Sequence, residues 1–267
     1  MISLIILTPF DLAITSALIL LMAFLSWRLH LGVGRQFLIA ALRSAVQLIL
    51  LGYVLKIIFA EQAFWMVLLL GSIMLGVAGY EVLSRQRRRF SGWWGYGIGA
   101  TAMSISSFSV TLIALLIVIQ PTPWYQPQYA IPLLGMLLGN TMTGIAVGLD
   151  NLTRSAWEKR ELIEAQLILG RRGIEAIRTI RRDALRSGMI PIINTMAAAG
   201  LVSLPGMMTG QILAGVEPLE AAKYQLLIMY LIAGGTGLGS LAAIWLGSER
   251  LFDDRHRLRL DRLTTSK

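Results

Sequence analysis

The sequence holds few residues whose types and spacing could perform catalysis or bind a metal. It contains no cysteine and two histidines. A nucleotide-binding P-loop ends in Gly-Lys followed by Ser or Thr, and no lysine of this chain precedes either residue. Apart from Lys223 at the end of one segment, the long apolar segments contain four isolated charged residues, too few for paired acid–base catalysis; they are Asp11, Arg43, Lys56 and Glu81. The sequence therefore argues against an enzyme and predicts that this chain itself binds no ATP or other cofactor.

One pair of polar residues lies inside a long apolar segment. Arg43 and Gln47 are four residues apart and therefore share one face of a helix. A guanidinium about 10 Å deep in a membrane is costly unless it faces protein or water, or reaches back to the interface. The pair thus predicts either a polar lining of a transport pathway or a snorkelling arginine.

Small residues and a proline interrupt other apolar segments. Asn140 lies among glycine pairs spaced four apart, a spacing that lets membrane helices approach closely and lets an amide bond to a neighbouring helix. In the segment 200–210, Pro205 removes a backbone donor and Gly206 loosens the helix further. Broken helices at membrane depth mark substrate sites or gates in many transporters. The segment predicts such a gate or, alternatively, a plain proline kink.

Residues 150–187 form a long segment rich in charged residues and helix formers. Within it, Glu164, Ala165 and Gly170 match the spacing of an interaction loop in permease subunits of ATP-binding-cassette importers. A short helix that ends at Gly170 can present Ala165 and Leu169 to a groove on a soluble partner. The alternative is an amphipathic helix on the membrane surface, with its arginines on anionic lipid headgroups.

These residues must be positioned by helices in a membrane. The 267-residue chain is 55% hydrophobic and 15% charged, whereas soluble domains average roughly 25% charged residues. A helix that spans a membrane needs about 20 apolar residues, and seven segments of the chain are close to this length. We therefore expect an all-α polytopic transmembrane bundle of about seven spans, with residues 1–249 as a permease domain and 250–267 as a basic cytoplasmic tail. The predicted spans are 9–27, 36–60, 62–83, 96–119, 130–149, 188–214 and 223–246.

The basic residues predict an orientation. Lys and Arg outnumber Asp and Glu by 24 to 15, and nearly all of them follow the first, third, fifth or seventh predicted span. With seven spans these loops lie on one side, and an excess of Lys and Arg marks the cytoplasmic side. The N-terminus is then outside and the C-terminus in the cytoplasm. Because the charge belongs to membrane loops, we expect membrane lipid rather than nucleic acid as a partner.

Three blocks of the sequence resemble the FetB-type permease family, the iron-export permeases of bacteria. The blocks are RSAVQLILLGYVLK at 43–56, IPLLGMLLGN at 131–140 and GLVSLPGMMTG at 200–210. They lie in order, so the resemblance covers about residues 30–247. Plant relatives of this family are linked to aluminium tolerance, and a nucleotide-sugar substrate has been proposed for them.

The resemblance implies the permease subunit of an ATP-binding-cassette exporter in the inner or plasma membrane. It implies export of iron or another metal ion, a homodimer, and a separate ATPase subunit that binds ATP and Mg²⁺. The importer loop continues with an Ile-x-Leu-Pro element, which this chain lacks because its next proline is Pro191. By position, the ATPase-docking loop would contain Glu164, Ala165, Leu169 and Gly170. The pathway or gate would contain Arg43, Gln47, Asn140, Ser203, Pro205, Gly206, Met207 and Met208.

The metal substrate lacks an evident set of ligands. Iron(II) favours His, carboxylate or thiolate ligands, and the predicted spans contain no His and no Cys. We therefore assign no metal site, and the ion would pass weakly bound or chelated. Two alternatives stay open: a permease of the same kind that moves an organic substrate such as a nucleotide sugar, and a stand-alone channel or ion-coupled carrier that needs no ATPase.

Overall fold

The structure, a computed structural model, describes residues 8–265 of the chain. Residues 1–7 of the predicted permease domain and residues 266–267 of the predicted tail lie outside this range. The described part is almost entirely α-helical, which confirms the expected polytopic helical bundle. Six of its helical segments are long and apolar enough to cross a membrane; they are Phe10–Arg28, Gly34–Glu61, Phe64–Ser84, Trp93–Ile119, Pro127–Glu158 and Pro218–Arg250.

The described elements follow one another as helices, with a single pair of short strands. The helices are α1 Pro9–Arg28, α2 Gly34–Glu61, α3 Phe64–Ser84, α4 Trp93–Met103, α5 Ser109–Ile113, α6 Pro127–Glu158, α7 Arg160–Ile168, α8 Gly173–Ala176, α9 Arg178–Ala198, α10 Gly206–Leu213 and α11 Pro218–Arg250. Two π-helical segments, Ser104–Phe108 and Ala114–Ile119, continue α4 and α5 into one span. The strands are β1 Arg88–Phe90 and β2 Leu263–Thr265, and they pair antiparallel.

The described residues divide into two units, one of residues 8–63 with 213–215 and one of residues 64–212 with 216–265. In the smaller unit, α1 and α2 pack against each other. Thr8 caps α1 because its side chain accepts from the Asp11 backbone N–H, while the Asp11 carboxylate accepts from Thr8. The turn into α2 is tight, since the Val33 N–H donates to the Ser26 hydroxyl at 3.2 Å.

In the larger unit α6 is the central helix, and it packs against α3, α9 and α11. Glycines bring the backbones of α6 and α9 together. A Cβ on Gly144 would lie 2.9 Å from the Gly188 carbonyl oxygen, and one on Gly188 would lie 2.7 Å from the Gly144 carbonyl oxygen. Such close approach suits helices in lipid, where association depends on packing rather than on a hydrophobic force.

The predicted sixth span, 188–214, is wrong, because it is divided between α9 and α10 and is not among the six helices of the described residues that could cross a membrane. The helix that packs along α6 is α9, which begins at Arg178 and ends at Ala198. Its Gly188 meets Gly144 near the middle of α6, and its Ile192 joins the core cluster of Leu133 and Leu137. Hydropathy misplaced this helix because its first turns carry arginines. The chain leaves helical geometry after α9, so Pro205 lies between α9 and α10 instead of kinking a span.

One end of the larger unit, which we call the basic end, consists of residues 85–92, 150–187 and 250–265. There the C-terminal segment is folded: β2 pairs with β1, and the Arg262 guanidinium donates to the carbonyl oxygens of Arg250 and Phe252 at 2.9 and 3.0 Å. Backbone N–H groups, chiefly that of Arg257, hold the pKa of Asp253 at about 2. Placement of the basic end in the cytoplasm, and a domain boundary at residue 249, stay predictions.

We expect Gly144→Ala to destabilise the larger unit by about 1–3 kcal/mol, because the added methyl group would press on the Gly188 carbonyl and the Thr236 side chain. The matched control is Gly139→Ala on the same helix, where a Cβ would meet nothing within 4 Å. Thermal unfolding in detergent, followed by tryptophan fluorescence, should show a lower transition temperature only for Gly144→Ala. Equal transition temperatures for the two variants would contradict close packing of α6 on α9.

Candidate functional site

The first candidate site is α7, a short helix at the basic end. Ile163 is buried in the core cluster of this end, and Leu167 packs against the same cluster. These contacts fix which face of α7 points outward. The outward face carries apolar side chains, because Leu162 is 58% exposed and Leu169, in the last turn, is 76% exposed. An exposed apolar surface on a helix outside the spans is typical of a protein contact.

The end of α7 confirms the predicted short helix that stops at Gly170. Gly170 has φ +82°, a left-handed conformation that glycine adopts without strain. Its N–H donates to the Leu167 carbonyl, and the next N–H, that of Arg171, donates to the Gln166 carbonyl. This is the Schellman arrangement, which ends a helix and fixes the direction of the following chain. Glu164 and Ala165 are exposed on α7, although their role in docking stays a prediction.

The C-terminal segment packs against the residues that follow α7. Gly173, at the start of α8, lies against the ring of Phe252, so closely that a Cβ on Gly173 would be 2.6 Å from it. Ile177 and Leu251 are fully buried in the same cluster as Ile163. As a result, the segment that presents α7 is packed against the end of α11 and is not a free loop.

The second candidate site is an accessible stripe along α6. Half of the residues of this helix are buried, yet residues spaced three or four apart on one face stay accessible along its whole length. Many of them are polar or lack a side chain, which is unfavourable against lipid and typical of a surface that faces protein or water. This α6 stripe consists of Gln128, Pro132, Met136, Gly139, Asn140, Thr143, Val147, Asp150, Asn151 and Arg154.

A cavity lies at each end of the α6 stripe. The basic-end cavity has a volume of about 230 Å³ and is lined by Arg85, Thr143, Ala146, Val147, Asp150, Asn151, Arg154 and Ser187. The opposite-end cavity has a volume of about 250 Å³ and is largely apolar. Its lining includes Tyr129, Met136, Met207, Gln211 and Tyr224.

The structure brings some of the predicted pathway residues together. Met207, at the start of α10, lines the opposite-end cavity with Met136 of α6. Asn140 lies one turn further along the α6 stripe, but its amide donates to the Met136 carbonyl of its own helix at 2.8 Å. The expected hydrogen bond from the Asn140 amide to a neighbouring helix is therefore not formed, because an accessible amide on α6 finds its nearest acceptor one turn back.

The remaining predicted pathway residues lie outside the spans of the larger unit or in the smaller unit. Ser203 is exposed in the connection between α9 and α10, where its carbonyl accepts from Gly200. The residues that follow it lead into α10 and are accessible or half-buried; they are Pro205, Gly206 and Met208. Arg43 and Gln47 lie on α2 of the smaller unit, where both are exposed.

Sequence reasoning missed the polar lining of the basic-end cavity. The predicted fifth span stopped at residue 149, whereas α6 continues to Glu158. Asp150, Asn151 and Arg154 therefore extend the face that Thr143 and Val147 begin. The helical spacing of polar residues past the apolar segment was the available signal. Nothing in the sequence pairs them with Ser187 of α9, whose hydroxyl accepts from the Asn151 amide at 3.3 Å.

Within residues 8–265, no group of three or more His, Cys, Asp or Glu side chains is placed to hold a metal ion. The side chains that converge at the basic-end cavity are instead guanidinium, carboxylate, amide and hydroxyl groups. Such a set forms hydrogen bonds and ion pairs with a polar solute.

Comparison with known proteins identifies relatives over almost the whole chain. A family model described as "Uncharacterised protein family (UPF0014)" matches residues 9–252. The chain is 40% identical over 240 residues to UPF0014 membrane protein slr1647 of Synechocystis sp., covering 88% of this chain and 90% of the relative. It is 28% identical over 248 residues to the Probable iron export permease protein FetB of Escherichia coli, covering 93% of each. It is 31% identical over 240 residues to Protein ALUMINUM SENSITIVE 3 of Arabidopsis thaliana, covering 90% and 86%. No solved structure matches the chain significantly.

We expect the α6 stripe to be accessible to water at membrane depth. The chain lacks cysteine, so single cysteines can be introduced without background. Thr143→Cys and Val147→Cys should react with a charged, membrane-impermeant thiosulfonate about tenfold faster or more than Leu238→Cys, because the thiolate that reacts forms only in water. Leu238 is a suitable control because it is 55% exposed on α11, among apolar neighbours. Equal, slow labelling of all three variants would show that lipid covers the stripe.

Proposed function

The chain belongs to the UPF0014 family of membrane proteins, and we propose that it is the permease subunit of an ATP-binding-cassette exporter. In this proposal a separate ATPase subunit binds ATP and Mg²⁺ and hydrolyses the nucleotide. The observation that carries the proposal is the outward apolar face of α7. The opposite face of α7 is packed into the core through Ile163 and Leu167, so the outward face is held in a fixed position. A surface that transmits force from a partner must be held in this way.

The position of α7 favours a protein partner over the membrane surface. The apolar part of α6 ends near residue 149, and about 14 Å of further helix lies between that point and the end of α6, which α7 closely follows. Arg154 and Glu158, both exposed, lie on this extension. Arginines and acids around α7 would steer a partner of complementary charge, while Leu162 and Leu169 would fill its groove.

We further propose that two copies of the chain form the permease. Each chain supplies one α7, and two ATPases that close on each other need two docking helices. The α6 stripe supports the same conclusion, because its polar residues need protein or water rather than lipid. A second copy facing the stripe would enclose a pathway between two α6 helices, with Asn140 and Thr143 on its wall.

For the cargo we propose iron or another metal ion, following the relative whose name describes probable iron export. The accessible polar groups of the α6 stripe can pass a weakly bound or complexed ion. The second candidate is an organic substrate, and the mixed charges of the basic-end cavity favour it. A stand-alone channel or carrier would leave the outward face of α7 without a partner. We expect no nucleic acid to bind.

Replacement of two exposed leucines at α7, Leu162→Asp with Leu169→Asp, should abolish co-purification of the proposed ATPase subunit. The carboxylates would have to be desolvated in an apolar groove, which is strongly unfavourable. Leu201→Asp is the matched control, because Leu201 is 93% exposed at the opposite end of the larger unit. Retention of the ATPase by the double variant would contradict docking through α7.

Transport itself can be measured with inside-out vesicles that contain the chain and its ATPase. We expect ATP-dependent accumulation of radiolabelled iron, and we expect it to disappear when residues 164–170 are deleted, because coupling requires the docking helix. Vesicles without ATP serve as the control. If the two proteins co-purify and hydrolyse ATP while no iron moves, iron is not the cargo, and an organic substrate takes its place.

A further inference from the structure

The basic-end cavity is built from three helices of the larger unit. Arg85 follows α3, Ser187 lies on α9, and the remaining lining residues lie on α6. From Thr143 to Arg154 the lining extends about 16 Å along α6. The cavity therefore begins at the basic end and follows the α6 stripe inward. A solute that enters the proposed pathway from the basic end would meet this cavity first.

The cavity offers more hydrogen-bond donors than acceptors. Arg85 and Arg154 bring two guanidinium groups, each a planar array of N–H donors. Within residues 8–265, Arg154 has no carboxylate within 4.0 Å. Arg85 is 3.9 Å from a Glu81 carboxylate oxygen, which is too long for a strong hydrogen bond. Both guanidinium groups thus retain donors for a solute.

The one carboxylate that lines the cavity accepts a hydrogen bond at one of its oxygens. Asp150 Oδ1 accepts from the backbone N–H of Arg87 at 2.8 Å. Asn151 is likewise engaged, because its amide nitrogen donates to the Ser187 hydroxyl. The Thr143 hydroxyl donates to the Gly139 carbonyl at 3.0 Å. With two guanidinium groups against one carboxylate, the lining carries a net positive charge, which disfavours a bare divalent cation and attracts an anion.

We propose that the basic-end cavity binds an oxyanion group, a phosphate or a carboxylate, on the molecule that the permease exports. Guanidinium groups bind both oxyanions through paired N–H···O contacts, and this geometry selects them over spherical ions. This inference rests on the proposed function and narrows its substrate class. If the cargo is a metal, the metal enters as a complex with a phosphate- or carboxylate-bearing chelator and not as a bare ion.

The test uses the purified permease alone, without ATPase, in nanodiscs of phosphatidylcholine. Isothermal titration calorimetry at low ionic strength measures binding of pyrophosphate, of citrate and of Fe²⁺ alone. We expect both anions to bind. We expect the double variant Arg85→Gln with Arg154→Gln to raise the dissociation constant of each anion at least about tenfold, because it removes two charged hydrogen-bond donor groups. The matched control is Arg171→Gln with Arg178→Gln, which removes the same charge from exposed residues outside the cavity.

The outcomes separate the possible ligands. Anion binding that is lost only in the cavity variant supports the proposal. Absence of anion binding, equal weakening in both double variants, or tight binding of Fe²⁺ alone that survives the cavity variant would each overturn it. A repeat in nanodiscs containing phosphatidylglycerol distinguishes the source of the oxyanion. If anionic lipid abolishes soluble anion binding in the wild type, the cavity holds a lipid headgroup and not the cargo.

Two measurements keep this inference separate from the proposed function. Thermal unfolding of both double variants shows whether they are folded, which we expect because the substituted arginines are exposed. Co-purification with the ATPase tests the exporter role without reference to the cavity. If the permease retains its ATPase but binds neither pyrophosphate nor citrate, the oxyanion site is overturned while the exporter role is not.

Discussion

The contact between α6 and α9 holds the larger unit together, because two helices meet there backbone to backbone. Gly144 and Gly188 leave no room for a side chain between the carbonyl groups. In lipid, apolar side chains gain nothing by leaving solvent, so this close packing must supply the association. Close contact recurs between α6 and α11, where Gly235 and Gly239 of α11 lie against Leu137 and Thr141. These glycine contacts place α6 at the centre of the larger unit, packed against α3, α9 and α11.

This close packing buries several hydroxyl groups, which is energetically unfavourable when they form no hydrogen bond. Ser106, Thr141, Thr236 and Ser240 are buried around the glycine contacts, and their hydroxyl oxygens have no hydrogen-bond partner among the described residues. Ser106 belongs to a π-helical segment, a local change of helical pitch that often accompanies functional sites. The centre of the unit is therefore tightly packed and polar at once, a combination that resists the insertion of larger side chains.

Because α6 is a single helix, it joins the membrane-embedded core to the basic end. The face that stays accessible carries the polar stripe and the basic-end cavity, and the same helix leads directly into α7. The C-terminal segment completes the arrangement, since Phe252 lies against Gly173 and Arg262 caps carbonyl groups at the end of α11. Movement of α7 would therefore be transmitted to α6, α9 and α11 together. This is the mechanical requirement for a permease driven by a separate ATPase.

Residues that are close together in the chain are enough to predict the class of the protein and the ends of its local elements. Apolar length specified spanning helices, and Gly170 specified where α7 ends, because both depend on residues close together in the chain. Tertiary structure alone decided the rest. It packed α9 against α6, although charged first turns conceal this helix from hydropathy, and it placed Pro205 outside that helix. It also joined Arg85, Asp150 and Ser187 at one cavity. Residues so far apart in the sequence meet only through helix packing, which depends on side-chain shape across helices and leaves no local pattern in the chain.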